Sequence, residues 1–170
     1  SPPIECTAIR STLAMETTTI KSGARALKIT ANDAGGIGSS YARMTADNYA
    51  ALKGKRVTAG VWVYNPSTNT LTQTIGIWDG VTGSNSVVIP KDNAWHWVVV
   101  NHIVDASATT VDLQMRAKDV VTANTTDVIY ADGAILTEGE SISSFIPMPD
   151  QSLINHHTAA YTLSSYETGH

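Results

Sequence analysis

Cysteine, charge and long apolar runs are all scarce in this sequence. Its single cysteine, Cys6, cannot form a disulfide within the chain, and no Cys and His residues have the spacing of a zinc site. Charged residues make up 15% of the 170 residues, and the formal net charge is -4. This field is too weak to favour nucleic acid or an anionic membrane as a partner. No apolar run approaches the ~20 residues that span a bilayer, so we expect no membrane insertion.

Signals for catalysis are absent as well. The sequence contains no Gly-x-Ser-x-Gly elbow, no His-Glu-x-x-His pair and no phosphate-binding loop. A glycosidase needs two carboxylates ~5–10 Å apart. Asp79 with Asp132, or Glu138 with Glu140, could be nominated, but nothing in the sequence singles them out. We therefore expect a protein that is not an enzyme.

The first residues, SPPIECTAIR, carry no recognisable signal. They have neither a charged n-region nor an apolar h-region, so they predict no signal peptide. They also lack an initiator methionine, and we expect the chain to be a fragment of a longer protein. The stretch around Cys6 has no local signature, and we expect it to be irregular.

What the sequence does contain is typical of an all-β protein. Thr, Val, Ala, Ser and Ile are abundant, whereas Leu, Glu and Lys are sparse, and β-branched residues fit pleated sheets best. Short alternating segments between turn residues, spaced at roughly 8–12 positions, predict a two-sheet antiparallel β-sandwich over residues 1–147. After Pro147 the alternation stops. Residues 148–170 are expected to form a C-terminal tail that could act as an oligomerisation arm.

Four segments give more specific expectations. Residues 110–118, TVDLQMRAK, alternate apolar and polar side chains, as in a strand with one face toward the core. In residues 57–65, alternation places valines on one face and Trp62 and Tyr64 on the other. Residues 95–104, WHWVVVNHIV, carry large apolar groups on both faces. We therefore expect a central strand covered on both sides, with its two tryptophans in the core. Residues 86–90, SVVIP, are expected to form a short strand.

Four segments follow one another between residues 20 and 147: IKSGARALKIT, YAALKGKRVTAGVWVYNP, AWHWVVVNHIV and VIYADGAILTEGESISSFIP. In this order they resemble the carbohydrate-binding-module-like jelly rolls, of galactose-binding-like architecture, found in bacteriophage tail and tailspike proteins. The resemblance implies an extracellular, non-catalytic module of the virion that binds a host-surface glycan or packs within the fibre. It also implies other virion subunits as partners, with a homo-trimer as the expected assembly.

The resemblance further implies a structural calcium ion. In such jelly rolls, an Asp on the last long strand can sit at an edge where calcium ties the termini together, and Asp132 is the matching position. Calcium takes ~6–8 oxygen ligands, and here Glu5 or Glu16 could join Asp132. The alternative is that Asp132 caps a neighbouring backbone amide or faces solvent.

The tryptophans suggest a sugar-binding surface. Aromatic faces stack on the C–H faces of pyranose rings, while neighbouring polar side chains bond the hydroxyl groups. The alternative is that each tryptophan belongs to the core, with its indole N–H bonded locally. The candidate carbohydrate-binding residues are Trp62, Tyr64, Trp78, Asp79, Asn85 and His96.

Two other functions remain open at this point. One is a purely structural or trimerisation module of a virion, whose exposed aromatics serve subunit contacts. The other is a carbohydrate-binding appendage of a bacterial glycoside hydrolase, which would share the fold and the aromatic residues.

Overall fold

A computed structural model describes residues 6–32, 38–118 and 126–142. Two five-stranded antiparallel sheets pack face to face, so the predicted all-β jelly-roll sandwich is confirmed. The first sheet has the order β1-β4-β9-β6-β7, and the second has the order β2-β3-β10-β5-β8. The strands are β1 (Cys6–Ile9), β2 (Ser11–Glu16), β3 (Ala26–Ala31), β4 (Ser40–Thr45), β5 (Arg56–Tyr64), β6 (Ile75–Trp78), β7 (Gly83–Asn85), β8 (Trp95–Ile103), β9 (Asp112–Lys118) and β10 (Val128–Glu138), and one 3-10 helix covers Tyr49–Leu52.

The core lies between the sheets and follows the period-two pattern of the strands. On β9, Leu113 and Met115 point inward and are fully buried, while Gln114 and Arg116 lie on the outer face. On β5 the inward positions are small or β-branched, which lets the two sheets approach closely. The expected alternation of both segments is confirmed. The fully buried inward residues of β5 are Val57, Ala59, Val61 and Val63.

The N-terminal stretch is regular, so the expectation of an irregular segment around Cys6 is wrong. β1 pairs with β4 in the first sheet, and β2 pairs with β3 in the second. Only Arg10 separates them, and it adopts a positive φ of 47°. The chain therefore passes from one sheet to the other through a single strained residue. A one-residue link leaves no sequence signal of a turn.

Two expectations about the strands are wrong. Among the described strands, β8 pairs only with β5, so it lies at the edge of its sheet and is not central. Its outward tryptophans lie on the outer sheet face and not under a second layer. Residues 86–90 form no strand. They contribute a single bridge, between Gln73 and Ile89, and Val87 is 80% exposed.

The proposed tail, residues 148–170, lies outside the described residues, and so does the boundary at residue 147. That division of the chain stays a prediction. Among the residues that the structure describes, no helix is long and apolar enough to cross a membrane.

Candidate functional site

The structure divides the six predicted carbohydrate-binding residues among three places. Trp78 and Asn85 lie on the outer face of the first sheet, and Trp62 and Tyr64 lie on the outer face of the second sheet. Asp79 and His96 lie on neither face. A single platform that contains all six is therefore not formed.

Asp79 is buried and holds the β6–β7 turn. Its carboxylate accepts hydrogen bonds from the amides of Val81 at 2.8 Å, Thr82 at 2.6 Å and Asp105 at 2.8 Å, and from His102 Nε2 at 2.9 Å. Burial alone would raise the pKa of Asp79, but these hydrogen bonds outweigh it and hold the pKa well below the usual range. Asp79 therefore ties β8 to the turn and cannot face a sugar.

His96 lies opposite the tryptophans of its own strand. It pairs in register with Val63, whose side chain is inward, and its Nε2 lies 2.9 Å from Asp92 Oδ1 at the exposed start of β8. The hydrogen bond from His96 is the main cause that lowers the pKa of Asp92. This pair closes a turn beside the sheet and is not part of an aromatic face.

The outer face of the first sheet carries polar side chains in neighbouring register. Arg43 of β4 lies opposite Gln114 of β9, which lies opposite Gly76 of β6 and, beyond it, Asn85 of β7. Two residues before Gln114 on β9, Asp112 lies opposite Trp78 of β6. We call this surface the polar face; it comprises Tyr41, Arg43, Trp78, Asn85, Asp112, Gln114 and Arg116.

Arg116 is the centre of a hydrogen-bond network on the polar face. Its Nη1 donates to Asn85 Oδ1 at 2.7 Å and to Thr74 Oγ1 at 3.3 Å. Its Nη2 and Nε donate to Gln114 Oε1 at 2.8 and 3.2 Å. The guanidinium lies across Gly76, where any Cβ would clash with it. The glycine therefore makes room for Arg116, which fixes the amides on either side.

Trp78 supplies the exposed aromatic ring of the polar face. It is 40% exposed, and its ring edge lies against Gly83 of the neighbouring strand, so that a Cβ there would come 3.1 Å from Trp78 Cε3. The ring therefore lies over backbone on one side and is open to solvent.

Arg43 and Asp112 add charge to the same surface. Asp112 Oδ1 accepts hydrogen bonds from the hydroxyls of Thr45 at 2.7 Å and Thr110 at 2.8 Å, and Asp112 Oδ2 lies 4.0 Å from Arg43 Nη1. Among the described residues, Arg43 Nε is buried and has no hydrogen-bond partner. A ligand oxygen that reached this N–H group would accept a hydrogen bond from it.

The outer face of the second sheet is aromatic. Trp62 and Trp97 have ring centroids 5.6 Å apart, and Tyr64 lies 5.7 Å from both Trp95 and Tyr130 in edge-to-face contacts. These distances are typical of stabilising aromatic pairs. The two tryptophans of β8 are half-buried here and not in the core, so that expectation is wrong. We call these five residues the aromatic face.

Part of the second sheet's outer surface is covered by the chain itself. Thr58 and Asp132 point outward, yet both are buried. The segment around Lys21 crosses near Trp62, with its ammonium 4.0 Å from the ring centroid, and Ile142 packs beside Gly60. Among the described residues, these two segments contact the aromatic face at Trp62 and beside Trp97, and we call Tyr64, Trp95 and Tyr130 its open part.

Asp132 caps backbone amides, as the alternative expectation held. Its Oδ2 accepts hydrogen bonds from the amide of Ser22 at 3.0 Å and from the Ser22 hydroxyl at 3.4 Å. Burial is the main cause that raises its pKa.

The other two residues expected at a calcium site give no support for it. Glu16 accepts hydrogen bonds from three backbone amides in its own turn, and Glu5 lies outside the described residues. N–H donors fit calcium poorly. No group of three or more His, Cys, Asp or Glu in the described ranges could hold a metal ion. Calcium at Asp132 stays a prediction.

Sequence reasoning missed most of the polar face. The sequence predicts that Gln114 and Arg116 alternate with core residues on one strand, but it does not indicate that β9 lies between β4 and β6. Arg43 and Tyr41 enter the face only through that strand order. Pairing of strands distant in sequence is a property of the fold that periodicity does not reveal.

No family model matches this chain, and no curated protein matches it. Solved structures do. The C-terminal family 22 carbohydrate-binding module of Clostridium thermocellum Xyn10B is 17% identical, with a TM-score of 0.57 over 78% of this chain and 85% of that one. The CBM22-2 xylan-binding domain of Paenibacillus barcinonensis Xyn10C is 18% identical, with a TM-score of 0.57 over 80% and 92%.

A third structure contains the CBM22-1 and GH10 modules of C. thermocellum xylanase 10B with xylohexaose. It is 13% identical, with a TM-score of 0.60 over 80% of this chain and 26% of that one. At these identities the likeness shows a common fold. The fold of this chain is that of carbohydrate-binding modules.

Proposed function

We propose that this protein is a non-catalytic carbohydrate-binding module that binds a xylan-type polysaccharide on its polar face. The observation that carries the proposal is the exposed Trp78 ring beside a fixed network of planar donors and acceptors around Arg116. Support for the glycan class comes from the solved structures of the same fold, two of which are a xylan-binding domain and a complex with xylohexaose.

The chemistry of the polar face suits a neutral sugar. A pyranose ring stacks its C–H face on Trp78, which removes apolar surface of both partners from water. Its hydroxyl groups then meet Asn85 and Arg43, whose planar groups offer hydrogen bonds in fixed directions. Because Gln114 and Arg116 are nine-tenths buried, they hold the contact residues in place before the ligand arrives.

The charge on the polar face supports binding without hydrolysis. A glycosidase places two carboxyl groups ~5–10 Å apart on either side of the scissile bond. The polar face, as defined, has one carboxylate, Asp112, and both of its oxygens already face Thr45, Thr110 or Arg43. One carboxylate held in this way cannot serve as both acid and base.

The biological setting favoured by the comparisons is an appendage of a glycoside hydrolase. The named structures are modules of bacterial xylanases, and one of them is joined to a GH10 module. None of the named structures is described as part of a phage tail, a virion or a trimer. An extracellular location stays a prediction. The phage interpretation therefore ranks below the hydrolase appendage.

Affinity electrophoresis of the full chain tests the proposal. Gels contain soluble xylan, hydroxyethyl cellulose, galactomannan or no polysaccharide. We expect the chain to be retarded most strongly by xylan, and Asn85→Ala to reduce the retardation. Equal mobility in every gel would contradict a glycan-binding function, and preference for another polysaccharide would contradict the ligand class.

A further inference from the structure

We infer that the chain has a second carbohydrate site, a cavity between the loop that follows β5 and the start of β10, where Tyr130 lies on the outer face of the second sheet. The cavity has a volume of about 450 Å³, which lies within the ~300–1,000 Å³ of small-molecule sites. Tyr130 forms one wall and joins the cavity to the open part of the aromatic face. The remaining lining residues are Pro66, Thr68, Asn69, Thr70, Thr126, Asp127 and Val128.

Hydrogen bonds fix the loop that forms the cavity rim. Buried Asn69 donates from Nδ2 to Asn65 Oδ1 at 2.7 Å and to the Val128 carbonyl at 2.6 Å, and its Oδ1 accepts the Val128 amide at 2.9 Å. Lys91 Nζ donates to the carbonyls of Asn69 and Thr70 at 3.0 and 3.1 Å. The rim is therefore ordered before any ligand binds, which lowers the entropic cost of binding.

The charge in the cavity is already compensated. Asp127 is buried, and its two carboxylate oxygens accept the amides of Thr70 at 2.8 Å and Leu71 at 2.7 Å. The Lys91 ammonium is directed at loop carbonyls. A charged ligand would have to compete with these contacts, whereas a neutral ligand would not.

The remaining groups are those that recognise a sugar. Thr68, Thr70 and Thr126 are exposed and bring three hydroxyl groups to one cavity. Tyr130 offers a half-buried ring in edge-to-face contact with Tyr64, and Tyr64 in turn contacts Trp95. This aromatic row gives a glycan a path from the cavity onto the sheet. The ligand class is therefore a neutral glycan, with one or two rings in the cavity.

The test is a ¹H–¹⁵N NMR titration of the full chain with xylohexaose, cellohexaose and, separately, CaCl₂. We expect a hexasaccharide to shift the amides of Thr68 and Thr70 as one group, independently of Asn85 and Gln114 on the polar face. Tyr130→Ala should remove the first group of shifts only. Trp78→Ala should remove the second group only. Because the two groups of shifts are observed separately, failure of the polar-face proposal can be distinguished from failure of this inference.

Thr68→Val is a second variant that removes one hydroxyl from an exposed position, and it should weaken binding about 2- to 10-fold, the effect of one hydrogen bond. Thr12→Val, on an exposed part of β2, is the matched control and should change nothing. The inference is overturned if neither hexasaccharide shifts the cavity amides. It is also overturned if they move with CaCl₂ alone, or if Tyr130→Ala and Thr68→Val both bind as the natural chain does.

Discussion

The carboxylate of Asp132 accepts a hydrogen bond from the backbone amide of Ser22 at 3.0 Å, across 110 positions of the chain. This contact explains why an apolar closing strand carries an acid. The pairing of β10 with β5 shifts by one residue between Asp132 and Ile135, and Gly133 within that bulge has a φ of 59°. Asp132 thus joins the bulge to the segment that leads into β3.

Asp132→Ala should destabilise the fold by about 1–3 kcal/mol, because it leaves the half-buried Ser22 amide without its acceptor. Urea unfolding followed by tryptophan fluorescence measures the change. Asp92→Ala is the control, since Asp92 is an exposed carboxylate in a turn, and it should move the midpoint little. Equal midpoints for Asp132→Ala and the natural chain would refute the role of this contact.

The raised pKa of Asp132 should determine how its contribution to stability changes with pH. Burial raises the pKa of Asp132 above its usual 3.8. The folded state therefore favours the protonated form, and the stability that Asp132 contributes is greatest below pH 3.8 and falls as the pH rises through the folded pKa. Asp132→Asn removes this titration. Its stability relative to the natural chain should improve from pH 3 to pH 7, and an unchanged difference would contradict the assignment.

Asp79 and Asp92 each lie 2.9 Å from a histidine nitrogen, but Asp79 is buried whereas Asp92 is exposed. Asp79→Asn should cost about 2–3 kcal/mol, because hydrogen bonds to a buried charge are lost, whereas Asp92→Asn should cost little. The pKa of Asp79 is depressed, so its contribution is present above pH 3.8 and is lost as the pH falls below that value. Urea unfolding at pH 7 and pH 3 distinguishes the two variants, and similar losses would contradict the account.

Gly76 and Gly60 should respond in opposite ways to substitution by alanine. A Cβ at Gly76 meets the end of the flexible Arg116 side chain, so Gly76→Ala should displace the guanidinium and weaken xylohexaose binding while changing stability by less than about 1 kcal/mol. A Cβ at Gly60 meets the Trp97 ring and Ile142, so Gly60→Ala should lower stability by about 1–3 kcal/mol without changing affinity. Thermal melts and calorimetry measure both; the reverse pattern would count against the Arg116 network.

The strands of the fold could be predicted because their alternation of apolar and polar residues is visible among neighbouring positions of the sequence. Alternation on β5 and β9 assigned inward and outward residues correctly, since one face of each strand meets the core. β8 was misplaced for a physical reason. Its outward Trp95 and Trp97 are apolar because they pack on neighbouring aromatic rings of the same sheet, and periodicity does not distinguish that arrangement from burial under a second layer.

The site was less predictable because it depends on strand order. Trp78 and Asn85 lie near each other in sequence and share a face, so that part of the predicted set stayed together. Trp62 and Tyr64 belong to the other sheet, and only the fold shows that the two pairs point in opposite directions. Asp79 looked like a loop residue next to a tryptophan, but His102, 23 positions away, makes it part of the interior.

The most direct test of the central claim is isothermal titration calorimetry of xylohexaose with the natural chain, Trp78→Ala and Ile103→Ala. Ile103 is an exposed apolar residue on the second sheet and serves as the control. We predict that Trp78→Ala weakens binding at least ~10-fold, the loss expected for an aromatic contact, and that Ile103→Ala binds normally. Unchanged affinity in Trp78→Ala, with both variants folded, would contradict the assignment of the polar face as the glycan-binding surface.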